Sequence, residues 1–130
     1  MIPKPHKASI VLYVSDIVRT ERFYRETLGI PVERQEGMEP FFLSAKLAQG
    51  LEMVFFQMPG KVGTTPALIF AVDEGGIDDI VERLVAAGVT IVTPVSEAPG
   101  GWSADFTDPD GFGLGLWQPG DKPRSLKTGV

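Results

Sequence analysis

The chain has 130 residues, a length that suits a single domain, and its 43% hydrophobic and 22% charged residues exclude a disordered or collagen-like chain. It contains no cysteine and one histidine, His6, which excludes disulfides, thiolate zinc sites, iron–sulfur clusters, a cysteine nucleophile and any multi-histidine metal site. The net charge of −5, with no basic run beyond the scattered Lys122, Arg124 and Lys127, argues against nucleic acid as a partner.

Ala8 to Val14 is an apolar, β-branched run and reads as a buried strand. Asp16 offers a carboxylate to cap a helix in which Ile17, Val18, Phe23, Tyr24 and Leu28 recur at helical spacing, with Phe23, Tyr24 and Leu28 reading as core residues. Glu21–Arg25 and Arg22–Glu26 form i,i+4 pairs on its wet side, and Gly29 ends it. Strands are expected at about Pro31–Gln35, Phe41–Lys46 and Leu51–Gln57, with turns at Gly37, Pro40 and Gln49-Gly50. After a linker over 58–65 the order repeats. Ala67 to Val72 is a strand, and Ile77, Ile80, Val81, Leu84 and Val85 form a helical stripe. Asp78, Asp79 and Glu82 complement that helix's N-terminal dipole, and Gly88 ends it. Strands at about Val89–Pro94, Trp102–Thr107 and Phe112–Gln118 follow, and residues 119–130 read as a solvated tail.

No segment reads as a membrane span: the longest uncharged stretch, Leu84 to Ser96, is broken by Gly88, Thr90, Thr93 and Pro94. The polar stretch from Met1 to Ser9, with its two prolines, lacks the apolar centre of a signal peptide, so a cytoplasmic protein with no membrane partner is expected.

The pattern is β-α-β-β-β twice, over 8–57 and 66–118. Gly29 and Gly88 close the two helices 59 residues apart (88 − 29), and Val14 and Val72 end the leading strands 58 apart (72 − 14). Near-constant offsets argue for an internal duplication. The expected class is α+β within one domain, the two units forming curved mixed sheets around a concave cup.

Two stretches carry a resemblance. One is Val14-Ser15-Asp16-Ile17, then Phe23-Tyr24, then Leu28-Gly29-Ile30; the other is Asp108-Pro109-Asp110-Gly111-Phe112, then Leu114, Leu116 and Gln118. With the paired units they resemble the vicinal oxygen chelate superfamily, which includes glyoxalase I, extradiol dioxygenases, fosfomycin resistance enzymes and bleomycin resistance proteins. The resemblance covers roughly residues 8 to 118 and implies a homodimer. Taken plainly, Asp108 to Gly111 is also a good turn.

In the metal-dependent members, four His or Glu ligands come from the first and last strand of each unit. Those positions map here to Ser9, to Val54 or Glu52, to Ala67 and to Gly115, which supply one carboxylate at most. His6, three residues before Ser9, falls on the opposite face of an extended strand and reads as an exposed residue of an N-terminal arm. A member without metal or other cofactor is expected.

Period-two alternation separates the faces of each strand. Ile10, Leu12, Val14, Met53, Phe55, Leu68, Phe70, Val72, Phe112, Leu114 and Leu116 are large and apolar and suit the face under the helices. The other set includes Ser9, Tyr13, Glu52, Phe56, Gly113, Gly115 and Trp117, a mixture that suits a ligand-lined surface. Gly113 and Gly115 mark a close approach by a ligand or another backbone, or a bend. Trp117 is a ligand platform or a core or dimer contact. Trp102 shares a face with Ala104 and Phe106, and alternation leaves open which face that is. Glu52 is a buried general acid or base, a partner for a cationic ligand, or a solvated strand-edge residue.

The leading functional expectation is metal-independent binding of a planar or aromatic small molecule, as in the bleomycin resistance type, with Ser9, Tyr13, Glu52, Phe56, Trp102, Gly113, Gly115 and Trp117 as ligand-binding candidates. The alternatives are an isomerase, lyase or dioxygenase with non-standard metal ligands or Glu52 acid–base chemistry, and a structural module whose cup is closed by side chains. No Gly-rich phosphate loop, nucleophile elbow or dinucleotide fingerprint is present.

Overall fold

A computed structural model describes residues 2, 7–62, 65–107, 109, 111 and 113–127. Among these residues the chain forms β1 (Ala8–Val14), α1 (Ile17–Arg22) continued by a π-helical turn (Phe23–Thr27), β2 (Glu33–Gln35), β3 (Phe42–Ala48), β4 (Leu51–Gln57), β5 (Ala67–Ala71), α2 (Ile77–Ala86), β6 (Ile91–Ala98), β7 (Gly101–Thr107) and β8 (Gly113–Pro119). The class is α+β, and β-α-β-β-β occurs twice. No helix among the described residues is long and apolar enough to cross a membrane. Two compact units are present: the first is Lys7–Leu68, and the second starts at Ile69.

In the first unit the strand order is β2-β3-β4-β1. β1 runs parallel to β4, with Ser9 opposite Glu52, Val11 opposite Val54 and Tyr13 opposite Phe56. β3 is antiparallel to both β4 and β2. The core lies between α1 and one face of this sheet, where Ile17, Val32, Leu43, Ala45 and Phe55 are buried and Leu12, Val14, Tyr24 and Met53 pack against them. β2 is shorter than expected: Pro31 has no N–H, and the Val32 N–H turns back to the Ile30 carbonyl at 2.8 Å instead of joining a ladder.

The first helix departs from its expected form. Asp16 caps it, its Oδ1 accepting from the Val18 and Arg19 amides at 3.1 Å each. From Phe23 the winding widens, and the Leu28 N–H reaches the Phe23 carbonyl at 3.1 Å, an i→i+5 bond. The extra residue per turn rotates the apolar stripe. Tyr24 stays inside, 4.6 Å from the Phe55 ring, while Phe23 and Leu28 are 48% and 50% exposed and are not the core residues that helical spacing implies. Glu21 is not on a wet side either: it is buried, holds Arg34 through two 2.8 Å bonds and Arg25 at 3.3 Å, and Arg34 stacks on Phe41. The Arg34 hydrogen bond comes first among the causes that hold the Glu21 carboxyl below its ordinary range.

In the second unit the order is β5-β8-β7-β6, with β7 antiparallel to both of its neighbours. Val72, Ile77, Ile80, Leu84, Ala104, Phe106 and Leu116 form its core between α2 and one sheet face. β6 runs past Pro94 to Ala98, with register shifts on both sides of Thr93, because a proline cannot donate to the ladder. Asp108, Asp110 and Phe112 of the expected turn, and His6, lie outside the described residues.

The two units share a device for starting their helices. In the first, the Gln57 Oε1 at the end of β4 accepts from the Ile17 N–H at 2.9 Å; in the second, the Gln118 Oε1 on β8 accepts from the Ile77 N–H at 2.9 Å. Each helix thus has one of its free N-terminal amides satisfied by a glutamine from the last strand of its own unit. Residues 122–127 are not a solvated tail. The Pro123 carbonyl accepts from the Gly76 N–H at 2.8 Å and the Arg124 carbonyl from the Asp78 N–H at 2.9 Å. Asp79 accepts from the Ser125 hydroxyl and the Leu126 amide at 2.7 Å each, and Lys127 pairs with Glu82 at 2.9 Å. Residues 121–127 therefore strap the start of α2.

Candidate functional site

Each sheet has one face under a helix and one face free of it. On the helix-free face of the first unit, Ser9 and Glu52 stand side by side in register, the Ser9 hydroxyl donating to Glu52 Oε1 at 3.1 Å. The Lys7 ammonium is 3.7 Å from the same oxygen, and the Glu52 side chain is 23% exposed. Glu52 is therefore a half-buried, paired carboxylate. One step along the register lie Val11 and Val54, both buried outside the helix-side core. Next come Tyr13 and Phe56, ring centroids 6.4 Å apart, and Phe42 of β3, 5.1 Å from Phe56. The Tyr13 amide donates to the Thr65 hydroxyl at 3.0 Å, and Lys61 Nζ lies 5.8 Å from the Tyr13 ring centre. Ser44 accepts from Gln35 Nε2 at 2.9 Å at the border of this group. Alternation along β1 and β4 brings Ser9, Tyr13, Glu52 and Phe56 to one face. Phe42 is missed by sequence reading: of the adjacent pair Phe41-Phe42 one side chain must face each way, and only the pairing with β4 shows that Phe42 joins Phe56.

On the helix-free face of the second unit, Trp117 lies opposite Ser103, Gly115 opposite Asp105 and Gly113 opposite Thr107. The Trp117 ring N–H donates to the Pro99 carbonyl at 3.1 Å, which fixes the indole against the β6–β7 turn. Gly115 is a close-approach position, and what approaches is protein: a Cβ there would lie 2.5 Å from Ile69 Cδ1, 3.0 Å from Asp105 Oδ1 and 3.1 Å from the Ala104 carbonyl oxygen. Trp102 lies on the other face. It packs against the helix-side core with Ala104 and Phe106, and the Arg124 guanidinium covers its ring at 4.3 Å. It does not share a face with Trp117.

A metal does not fit the expected positions. The register sets Glu52, not Val54, beside Ser9, but this carboxylate already holds a hydroxyl and faces an ammonium that repels a cation. Ala67 and Gly115 carry no donor atom. Among the described residues no three His, Cys, Asp or Glu side chains come together.

The fold is shared with solved structures. The chain is 21% identical to a Legionella pneumophila protein described as an NAD-dependent benzaldehyde dehydrogenase, over 86% of this chain and 98% of that one, with a TM-score of 0.67. It is 19% identical to a glyoxalase/bleomycin resistance protein/dioxygenase superfamily member from Vibrio splendidus, over 87% and 97% of the chains, with a TM-score of 0.57. It is 15% identical to the methylmalonyl-CoA epimerase of Mycobacterium tuberculosis, over 92% and 93%, with a TM-score of 0.58. At these identities the likeness is one of fold. A search of the curated proteins finds no match. Residues 7–116 match the family model of the Glyoxalase/Bleomycin resistance protein/Dioxygenase superfamily, and with the twofold β-α-β-β-β order this chain belongs to that superfamily.

Proposed function

We propose that this chain binds a planar or aromatic small molecule, without a metal ion, on the helix-free face of its first unit. The observation that carries the reading is the half-buried group Tyr13, Phe42 and Phe56, set on the sheet face opposite α1. Aromatic rings left partly open on a rigid sheet offer stacking area to a flat ligand, and such contacts contribute about 0.5–1.5 kcal/mol each beyond area burial. The Ser9–Glu52 and Gln35–Ser44 pairs at the border supply the few polar groups that orient a ligand in an apolar site. Superfamily membership does not select among chemistries, so the reading rests on this surface.

Isothermal titration against a panel of planar aromatic compounds tests it. Binding that weakens about tenfold or more in Phe56→Ala and in Tyr13→Ala supports the reading. A panel without heat, or binding indifferent to both substitutions, ends it. The reading includes a homodimer in the cytoplasm. Val18, Phe23 and Leu28, exposed on the first helix, support association with a second copy. Sedimentation of a monomer at micromolar concentration, or recovery of the protein outside the cytoplasmic fraction, would remove the corresponding part.

A further inference from the structure

We propose that the helix-free face of the second unit's sheet holds the cationic group of a small ligand, an amine or amidine, with Asp105 as its counter-ion and the Trp117 indole as the adjoining apolar wall. This rests on the small-molecule reading above but concerns a different sheet face, that of the second unit, and names the class of ligand taken there. Asp105 lies in the middle of β7, not at its end, between Thr93 of β6 and Gly115 of β8. Its side chain lies down over the glycine: Oδ1 is 3.0 Å from where a Gly115 Cβ would be, beside the Ile69 methyl. Half-buried among its neighbours, the Asp105 side chain makes no hydrogen bond or ion pair among the described residues.

That isolation distinguishes Asp105 from the carboxylates discussed so far. Glu21 holds Arg34 and Arg25, Glu52 holds Ser9, Asp78 holds Arg124, Asp79 holds Ser125, and Glu82 holds Lys127. Asp105, by contrast, leaves its carboxylate open on a sheet face. A half-buried carboxylate with no protein cation gains most from a charged donor, because hydrogen bonds to ionised groups are about twice as strong as neutral ones. Neighbouring chemistry suits a small organic cation. Ser103 and Thr107 flank Asp105 along β7 on the same face and add hydroxyls. Trp117 is its diagonal neighbour at roughly 7 Å, with its indole pinned by the Pro99 carbonyl. A flat ring against Trp117 with an amine or amidine directed along the strand meets both groups.

The test compares benzamidine with benzamide, which have the same shape but differ in charge. Trp102→Phe leaves Trp117 as the single tryptophan and so reports on this face by its fluorescence. The expected result is quenching by benzamidine at about tenfold lower concentration than by benzamide, a difference of about 1.4 kcal/mol. Asp105→Asn removes this preference, with circular dichroism confirming the fold. Equal binding of the two compounds by the Trp102→Phe protein overturns the inference without the Asp105 variant, and leaves the small-molecule reading standing. A preference for benzamidine that survives Asp105→Asn also overturns it. Failure of both compounds and of the whole aromatic panel removes the reading and the inference together.

Discussion

Replacing Gln118 with leucine keeps the side-chain volume nearly constant and deletes both ends of a buried bridge. Gln118 is 0% exposed, its Oε1 accepting from the Ile77 N–H at 2.9 Å and its Nε2 donating to the Lys122 carbonyl at 2.9 Å. The leucine leaves the buried Ile77 N–H and the part-buried Lys122 carbonyl without partners, at about 1–3 kcal/mol each. Added apolar burial returns about 1 kcal/mol, so the net loss is about 1–5 kcal/mol. Gln57→Leu is the internal control. Gln57 is half-buried, contributes one bond to Ile17, and shares the capping of α1 with Asp16, so its loss is about 1 kcal/mol. The N-cap of α2, Gly76, has no side chain to substitute for Gln118. Urea unfolding of the two variants and the parent, compared at equal m-values, measures the difference. If Gln118→Leu is no more destabilised than Gln57→Leu, the bridge does not hold the strap to α2 and the argument fails. Gln118→Glu adds a second comparison: it keeps the acceptor for Ile77 but sets an oxygen against the Lys122 carbonyl, so it too should unfold at lower urea.

Three further outcomes follow from the same structure. The Leu126 amide, followed by the Ser125 hydroxyl, lowers the Asp79 carboxyl from its ordinary 3.8, so its stabilisation is complete above that value and is lost as pH falls through the lower folded value. Asp79→Asn should therefore lose less stability than the parent between about pH 6 and about pH 3 in urea titrations; parallel curves would refute this. Gly115→Ala forces a methyl against Ile69 and should cost about 1–3 kcal/mol. The double change with Ile69→Val, which removes the Cδ1 at 2.5 Å, should recover part of that loss, and no recovery would point to Asp105 Oδ1 at 3.0 Å or the Ala104 carbonyl at 3.1 Å as the obstacle. Tyr24→Ala should cost about 3 kcal/mol because its ring packs on Phe55, whereas Phe23→Ala, on the exposed side, should cost about 1 kcal/mol or less in the same unfolding assay. Equal losses at 23 and 24 would show that the π-helical turn does not persist in solution.

The residues determine the local structure by themselves. Alternation in Ala8–Val14 and Leu51–Gln57, the stripe from Ile77 to Leu84, the Asp16 cap and the glycines that end both helices specify strands, helices and their twofold order, because these signals depend on neighbours a few residues away. The same alternation placed Ser9, Tyr13, Glu52 and Phe56 on one face. What it could not supply is which segments meet. Ser9 meets Glu52 across 43 residues, Ile77 meets Gln118 across 41 and Asp79 meets Ser125 across 46, and no local period encodes such distances. For that reason only the tertiary structure turned Trp102 toward α2, filled the space over Gly115 with Ile69 and Asp105, and bound the chain end to a helix. The exposure of Phe23 and Leu28 has the same origin. A π-helical turn and a 3.6-residue helix share one apolar pattern, and packing of Tyr24 on Phe55 decides which of the two forms.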